Sequence, residues 1–576
     1  MDLSEGGLLF VSDAYPPSSR SRKNPILSPK FQLMPIRMED DPQDQQERYN
    51  DGGGGGRRPS GPSFPTGPGG GGGAGFIGLL PLLMRFFSGK SLLFLLLLGV
   101  GLYFLMGREG CSGGGLFDNA EDFTKGGFLD PKQFEKASIY EPLADDNVRN
   151  PLPESSNLQR FAPPVGNQGQ QGSCVAWSSA YAARSILEAA RTGQKQTVYS
   201  PAFLYNQIGL QGCQGSYIIR AMEYMTKQGS IPYQQFPYDE RDCSRQPDRS
   251  LIQQAASNRM RGFTRLSLGD RNDAIDIRAI KENLAQGAPV VIGMMVGQSF
   301  TQGMLGKDVW IPDPSDRSMM GFGGHAMAAV GYDDRKYGGA FLIMNSWGTE
   351  WGNNGFAWVR YPEFNYYVRE AYGLEPMARV GAAASAPLQC EVGLVQVAFD
   401  GKKTVPQGYI PLRKSGDDSY VNLSPLKVGS KFKVEVRNNN ECYVYVFGKE
   451  TDGSGYTLFP YPNREAPNKT KYSPFCGITG YRLFPRDKSM TPDSIGQRDM
   501  IAVVVSGSEL DWYGIQSKIN GQPRSQSFQA RLNAALGATR PSQMSMSATS
   551  KGNIQFNTDL RQGQAVACFV ELDKSR

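Results

Sequence analysis

The chain has 576 residues, with 61 Lys+Arg against 55 Asp+Glu, and its single histidine nearly excludes a histidine-based zinc site. Hydrophobic residues make up 39% of the chain, enough for more than one folded core, and eight cysteines are too few for a disulfide-dense scaffold. The sequence has no GxxxxGK[ST] phosphate loop and no basic run typical of nucleic-acid binding. We therefore expect no metal, no other cofactor and no nucleic-acid partner.

The first 75 residues are predicted to be disordered. They contain two runs of five glycines, at 52–56 and 69–73, with a proline-rich stretch between them. A segment of this composition cannot bury enough apolar surface to offset the entropy that it would lose on ordering.

Residues 76–107 are predicted to anchor the chain in a membrane by one helix. The clean apolar core, 91–107, is seventeen residues long, which is the lower end of the length that a spanning helix needs. Its leucines lie on every face, which is not typical of an amphipathic helix. The positive-inside rule places residues 1–90 in the cytoplasm and everything after about 107 outside it, in the periplasm or the extracellular space. The basic residues used are Arg57, Arg58, Arg85 and Lys90 before the core and Arg108 close after it.

Residues 108–150 are predicted to be a polar tether, and a folded domain is predicted at 151–378. Early in this domain, a loop at 169–173 precedes Cys174, and small and apolar residues then recur at helical spacing until Gly193. A cysteine at a helix start gains from the helix dipole, which favours the reactive thiolate. Because most such cysteines only pack, the pattern predicts a nucleophile only if a base lies nearby.

The only histidine, His325, is the candidate base. Residues 325–332 and 340–345 are predicted to form two strands joined by a turn at 333–339. If the hairpin is symmetric about Arg335, His325 lies opposite Asn345, with Cβ atoms ~4.5–5.5 Å apart. The Asn345 amide oxygen could then orient the imidazole, whose other nitrogen would accept the thiol proton. The alternative is an ordinary core histidine, but the two patterns together favour catalysis.

In three motifs this domain resembles the papain-like cysteine peptidase family: QGQQGSC at 168–174, GHA at 324–326 and NSWG at 345–348. The resemblance covers roughly residues 150–378. It implies an α+β fold of two lobes with an extended peptide bound in the cleft between them. The helical lobe would comprise 174–191 and about 200–228, with about 273–286 as a further candidate helix, and the antiparallel β lobe would comprise 289–297, 326–332, 340–345 and 356–360.

The resemblance also implies a role for each site residue. Cys174 would be the nucleophile, His325 the base and acid, and Asn345 the residue that orients the imidazole. The Gln168 side chain and the Cys174 backbone N–H would bind the oxyanion, and Trp347 would shield the hydrogen bond between His325 and Asn345 from water. The substrate cleft would be lined by Ser216, Tyr217, Gly324 and Ala326.

The domain departs from the family pattern in several places. Gln171 stands where the family has a second cysteine, so Cys213, which resembles that cysteine's partner, loses its bond. Cys243 resembles another family cysteine whose partner is not evident, so Cys213 and Cys243 either pair with each other or stay reduced and buried. The aromatic residue that follows the nucleophile in the family is Val175 here, with Trp177 two positions later. The usual long helical propeptide is missing, since only about 45 residues separate the predicted span from the domain.

An Ala-rich linker at 379–389 precedes a second domain, 390–576. Its short alternating runs predict an antiparallel β-sandwich with a helix near 527–536. It weakly resembles an uncharacterised bacterial β domain that is often appended to peptidase-like and kinase-like enzymes. Substrate or cell-surface targeting and a folding or spacing role are equally compatible with it. The predicted strands are 431–436, 442–447, 456–458, 500–505 and 565–571.

These patterns predict a bacterial, membrane-anchored thiol endopeptidase that acts on proteins or peptides outside the cytoplasm. One alternative is a catalytically inactive peptidase fold used as a peptide-binding module. The presence of Cys174, His325 and Asn345 disfavours this alternative. A second is a cell-wall thiol amidase or peptidase of another clan, which the NSWG run at 345–348 disfavours.

Overall fold

A computed structural model describes residues 36–41, 126–146, 148–268, 275–319, 322–377, 380, 387–401, 403–463, 468–542 and 544–576. The predicted anchor at 76–107 and most of the predicted disordered tail lie outside these residues. Within the described part of the chain, no helix combines the length and apolar character needed to cross a membrane. The first described residues, Ile36–Asp40, form strand β1 and not a disordered tail.

The helical lobe of the middle domain is organised around one long helix that begins at Cys174. The helix continues through a wider π-helical stretch and ends where Gly193 takes the left-handed conformation, at φ 73°. Its consecutive segments are Cys174–Ala176, Trp177–Arg184 and Ser185–Thr192. The domain's other helices are Pro131–Phe134, Pro201–Ile208, Ile218–Lys227, Arg249–Ala255, Ile277–Ala285, Gln298–Thr301 and Tyr361–Tyr367.

The β lobe is one largely antiparallel sheet with strand order β3-β9-β4-β6-β7-β8-β5, and β2 adds to the end of β6. Every residue of β4 is buried, because helices and loops cover both faces of the sheet's centre. Strands β2, β3, β5 and β9 were not predicted from the sequence. The strands are β2 (Ser155–Asn157), β3 (Phe263–Arg265), β4 (Val290–Val296), β5 (Val309–Trp310), β6 (Gly323–Asp333), β7 (Ala340–Met344), β8 (Phe356–Arg360) and β9 (Val368–Leu374).

The hairpin of β6 and β7 does not have the predicted symmetric register. Ala328 pairs with Met344, and a bulge before Gly331 shifts the later pairs by one more residue. A hairpin symmetric about Arg335 would pair residues whose numbers add up to 670. The observed pairs add up to 672 before the bulge and to 673 after it. On this register His325 and Asn345 are diagonal neighbours, a distance that long side chains can still bridge. The symmetry fails because the turn contains a short 3-10 helix, Lys336–Gly338.

Residues 126–150 are not a loose tether. Leu129 and Phe134 are buried in the core of the middle domain. In a solvated tether these apolar side chains would be exposed to water. Ile139 forms bridges with Arg265 of the middle domain and with Tyr472 of the C-terminal domain. This segment therefore packs against both domains.

The C-terminal domain contains two sheets packed face to face around a shared core, one antiparallel and one mixed. One has the order β1-β20-β15-β10-β23-β22 and the other β12-β13-β24-β21-β16-β17. Helices Trp512–Gly521 and Phe528–Leu536 cover the outer face of the second sheet. Strand β10 begins inside the predicted linker. The strands are β10 (Leu388–Phe399), β11 (Thr404–Tyr409), β12 (Leu412–Lys414), β13 (Ser419–Asn422), β14 (Leu426–Lys427), β15 (Lys431–Asn438), β16 (Cys442–Lys449), β17 (Gly455–Phe459), β18 (Phe475–Cys476), β19 (Gly480–Phe484), β20 (Lys488–Pro492), β21 (Arg498–Ser506), β22 (Ser545–Ala548), β23 (Ile554–Thr558) and β24 (Ala565–Ser575).

The contact between the C-terminal domain and the rest of the chain is polar and partly buried. Arg149 donates two hydrogen bonds to Glu435, at 3.1 and 2.6 Å. Arg482 is fully buried and donates to the Glu141 carbonyl oxygen at 3.2 Å. These hydrogen bonds satisfy polar groups that the packing of the two parts removes from water.

A disulfide joins Cys213 and Cys243, with Cα atoms 6.0 Å apart. The sequence left open whether these two cysteines pair or stay reduced, and in the structure they are paired. The remaining described cysteines are unpaired thiols and are buried.

Loss of this disulfide should destabilise the middle domain. In the chain-entropy model, a bridge across thirty residues contributes about 3–4 kcal/mol to the free energy of unfolding. We expect Cys213→Ser to lower that free energy by about this amount in urea denaturation. Cys243→Ser should have a similar effect, and the double variant should lose little more than either single variant. Peptide mapping without reductant that found both thiols free would contradict the bridge.

The stability of the folded chain should fall as the pH rises from about 5 to 8. Burial raises the pKa of Glu141 and Glu370 to about 8, and that of Glu282 and Glu375 to about 7. An unfolded glutamate titrates near 4.3, so between these values the unfolded chain has fewer bound protons than the folded chain. Rising pH therefore favours unfolding in this window. Urea midpoints at pH 5 and pH 8 measure the effect.

The variant Glu141→Gln should reduce this pH dependence, whereas Glu223→Gln, at a partly exposed position on the domain surface, should leave it unchanged. A midpoint that rises from pH 5 to pH 8 would contradict the prediction.

Candidate active site

Cys174 lies where the long helix of the helical lobe meets strand β6. It is fully buried, and the backbone N–H of Ala326 on β6 is directed at its thiol. The backbone carbonyl of Ser173 accepts the first hydrogen bonds of the helix, from Ala176 and Trp177. The sequence-predicted position at a helix start is therefore correct, and it places the thiol beside the backbone that carries His325.

His325, Asn345 and Trp347 form one compact group. His325 Nε2 and Asn345 Oδ1 are 2.7 Å apart, a hydrogen bond in which the imidazole donates to the amide oxygen. The Trp347 ring stacks on the imidazole, with 4.1 Å between ring centroids and 20° between ring planes. All three side chains are almost completely buried, so water is kept away from this hydrogen bond.

Gln168 is held beside this group by Ser346. The Ser346 hydroxyl donates to Gln168 Oε1 at 2.7 Å, and the Gln168 backbone N–H donates to the Ser346 carbonyl at 2.9 Å. Gln168 Nε2 donates to the Gln171 carbonyl at 3.0 Å. These contacts fix the amide so that its N–H groups face the loop that leads to Cys174.

Tyr238 supports the loop before Cys174, and its role was not predicted from the sequence. Its hydroxyl donates to the Gln168 carbonyl at 2.7 Å and lies 2.6 Å from the Ser173 hydroxyl. Its ring packs edge-on against Trp177, the aromatic residue displaced by two positions. Nearby, Gln171 donates to two backbone carbonyls, at 239 and 240, over 3.3 and 3.4 Å. Gln171 thus makes a polar contact at the position where the family has its second cysteine. No local sequence pattern around Tyr238 signals the role of that residue.

Residues 126–130, which we call the cleft segment, occupy the cleft beside Cys174. The Ser216 N–H donates to the Gly126 carbonyl, and the Phe128 N–H donates to the Ser216 carbonyl, both at 3.0 Å. The Gly127 N–H donates to the Gly324 carbonyl at 3.1 Å, and the Phe128 ring lies 5.8 Å from that of Tyr217. The predicted cleft residues therefore do line one groove, and this chain's own backbone fills it.

The cleft segment approaches the loop before Cys174 so closely that only glycine fits. A Cβ atom on Gly126 would lie 2.2 Å from the Gly172 carbonyl oxygen, and one on Gly127 would lie 3.2 Å from the His325 backbone. The Gly126 N–H is also directed at the Cys174 thiol. The segment thus covers the thiol on the side that a substrate would approach.

Burial in the occupied cleft raises the pKa of Cys174 to about 11, although nearby backbone N–H groups act in the opposite direction. Desolvation therefore disfavours the thiolate that the helix start was expected to favour. Among the described residues, no group of three or more His, Cys, Asp or Glu side chains is placed to hold a metal ion.

Comparisons with known proteins agree with this geometry. A family model described as "Papain family cysteine protease" matches residues 152–374, and one described as "Domain of unknown function (DUF4384)" matches 425–474. Cathepsin K of Mus musculus is 29% identical over 230 residues, which cover 39% of this chain and 64% of that protein, less than two thirds of its length. Cathepsin L2 of Homo sapiens is 27% identical over 250 residues, which cover 41% of this chain and 67% of that protein.

Two solved structures are similar at lower identity. Xylellain, a cysteine protease from Xylella fastidiosa, is 23% identical with a TM-score of 0.38, and the match covers 46% of this chain and 100% of that chain. Digestive procathepsin L 3 of Tenebrio molitor larval midgut is 20% identical with a TM-score of 0.34, and that match covers 43% and 78%. With the family match and the site geometry together, residues 152–374 are a papain-family cysteine protease domain.

Proposed function

We propose that this protein is a thiol endopeptidase in which Cys174, His325, Asn345 and Gln168 carry the chemistry. The observation that supports this most is the buried hydrogen bond of 2.7 Å between His325 Nε2 and Asn345 Oδ1. It supports a role for the Nε2 nitrogen in orientation and for the Nδ1 nitrogen in exchange of a proton with the thiol.

In the first half of the reaction, Cys174 transfers its proton to His325 Nδ1 and its sulfur attacks the carbonyl carbon of the peptide bond. The carbonyl oxygen becomes an oxyanion, which accepts hydrogen bonds from the Gln168 amide and the Cys174 backbone N–H. The C–N bond then breaks, and the departing amine takes the proton from the imidazolium. A thioester on Cys174 remains.

In the second half, water attacks the thioester with His325 as general base. The C–S bond breaks, the acid product leaves, and the thiol recovers its proton. Asn345 holds the ring in one orientation in both halves. Trp347 covers the ring face, which keeps the hydrogen bond between His325 and Asn345 in a low-dielectric environment and so strengthens it.

We also propose that the form described here is latent. An extended substrate would need the backbone groups of Ser216 and Gly324 that the cleft segment now uses. Turnover therefore requires residues 126–130 to leave the groove. Their departure also returns water to Cys174, which lowers the desolvation that now disfavours the thiolate.

The compartment proposed for both domains is outside the cytoplasm. The disulfide between Cys213 and Cys243 supports an oxidising compartment, because such bonds are rare in cytosolic proteins. The substrates proposed are proteins or peptides that enter an open groove in extended form. Single-pass anchoring through 76–107 remains a prediction from the sequence.

Replacing the nucleophile tests the proposed function directly. Measured in the opened Gly126→Ala chain described below, Cys174→Ser should lower kcat for a peptide substrate by several orders of magnitude, because a serine hydroxyl is a far weaker nucleophile beside the same imidazole. A thiol-directed epoxide or vinyl sulfone should label the parent chain at Cys174 and leave the variant unlabelled. Undiminished turnover by the folded variant would exclude this site. A protein that binds peptides without cleaving them, even after the cleft is opened, would favour the inactive peptide-binding module.

Opening the cleft should increase the reactivity of the thiol. In Gly126→Ala the new methyl group would collide with the Gly172 carbonyl oxygen, so the cleft segment should no longer bind in the groove. We expect the epoxide to label Cys174 at least ten times faster than in the parent chain. The matched control is Gly521→Ala, since a methyl group there would meet nothing within 4 Å. Equal labelling rates in the parent chain and in Gly126→Ala would contradict latency.

A further inference from the structure

Strand β1 adds to the edge of the C-terminal domain far from the cleft. Residues Ile36–Asp40 pair with Lys488–Pro492 in five consecutive antiparallel pairs, and the Asp41 N–H donates to the Asp487 carbonyl at 2.9 Å. Ile36 is completely buried against the core of that domain. Without β1, strand β20 would present a row of unpaired backbone groups at the sheet edge.

A buried ion pair fixes the end of this strand. Lys433 Nζ donates to Asp41 Oδ2 at 2.8 Å, and the Ser489 hydroxyl donates to Asp41 Oδ1 at 2.6 Å. Asp41 and Lys433 are only 5% and 4% exposed. If the strand left, the Lys433 ammonium would keep its carbonyl partners but lose its buried counter-charge, which is costly in a desolvated position. The carbonyls that also accept from Lys433 are those of Pro485, Arg486 and Lys488.

Two more acidic residues of the segment meet lysines at the rim. Glu39 lies 3.3 Å from Lys431, and Asp40 forms an ion pair with Lys488. Three consecutive acidic residues thus match three lysines of the edge, which makes this edge selective for an acidic extended segment.

The docked strand restricts how the chain can meet a membrane. Asp41 is fixed on the C-terminal domain and Gly126 in the cleft of the middle domain, and these two domains are packed together. A chain that leaves and returns to one side must cross a membrane an even number of times. Two crossings need at least about 34 apolar residues and a turn, whereas the apolar stretch 76–106 has 31 residues and is interrupted by Arg85 and Lys90.

We propose that this edge is the binding site for the acidic segment 36–41 of the same chain, and that the docked strand holds residues 1–41 on the same side of any membrane as the peptidase domain. Docking and a single crossing by 76–107 exclude each other. This revises both the expected cytoplasmic position of the N-terminus and the single-pass anchoring predicted from the sequence, and it leaves the proposed chemistry unchanged.

Cysteine cross-linking in the full chain tests the docking. Arg37 and Thr491 are direct partners in the ladder, so Arg37→Cys with Thr491→Cys should form a disulfide under mild oxidation. A protease site inserted at 69–73 then lets the N-terminal fragment be cut, and only a linked fragment stays attached on a gel without reductant. The control pair is Arg37→Cys with Ser547→Cys, because Ser547 lies on β22 at the opposite edge of the sheet. Absence of the first link would overturn the proposal.

The ion pair is tested in the same cross-linking background. Asp41→Asn removes the buried counter-charge of Lys433 and should reduce the rate of linking at least fivefold. Glu39→Gln removes one acidic charge at the exposed rim and should reduce it less than twofold. Equal effects of the two variants would show that the buried pair does not hold the strand, which would contradict the proposed recognition.

Sidedness is tested with the full chain in sealed vesicles and a maleimide that does not cross membranes. Ser18→Cys reports on the N-terminal residues, and Arg335→Cys reports on an exposed position of the peptidase domain. Labelling above that of the parent chain should be found at both positions or at neither. Labelling at one position and protection at the other would place them on opposite sides and overturn the proposal.

Discussion

The site geometry depends on the contact between Gln168 and Ser346. Gln168 belongs to the loop that leads into the Cys174 helix, and Ser346 lies between Asn345 and Trp347. Two hydrogen bonds join them, one through side chains and one through backbones. Because Cys174 comes from the helical lobe and His325 from the β lobe, a small shift between the lobes would separate thiol from imidazole. The contact ties the loop before Cys174 to the segment that carries Asn345, which fixes the two lobes relative to each other at the site.

The proposed latency also depends on close packing, here between the cleft segment and the residues around Cys174. The cleft segment occupies the backbone positions that a substrate needs, and it also excludes water from the thiol. The first effect blocks binding, and the second stabilises the protonated sulfur, whose pKa burial raises to about 11. The proposed latency therefore needs only a few residues beside Cys174, which produce both effects.

Much of the site could be predicted from the sequence because its signals are local. A small-residue loop before a helix locates Cys174, and a single histidine leaves little choice of base. The β6–β7 register was wrong, because a bulge and a 3-10 turn depend on packing that no local pattern encodes. His325 and Asn345 are hydrogen-bonded despite this error, since diagonal neighbours on adjacent strands can still form a hydrogen bond. Tyr238 and strand β1 were missed for the same reason: each acts only through residues distant in the sequence.

The position of residues 131–150 limits how the cleft can open. Ile139 bridges the two domains, and Arg149 pairs with Glu435 of the C-terminal domain. Removing this stretch would expose buried apolar surface and leave Glu435, which is nearly buried, without its cation. The cleft segment, in contrast, is held mainly by backbone hydrogen bonds and by the side chains of Phe128 and Leu129. The least costly change is therefore local release of residues 126–130, with 131–150 staying in place as part of the folded enzyme.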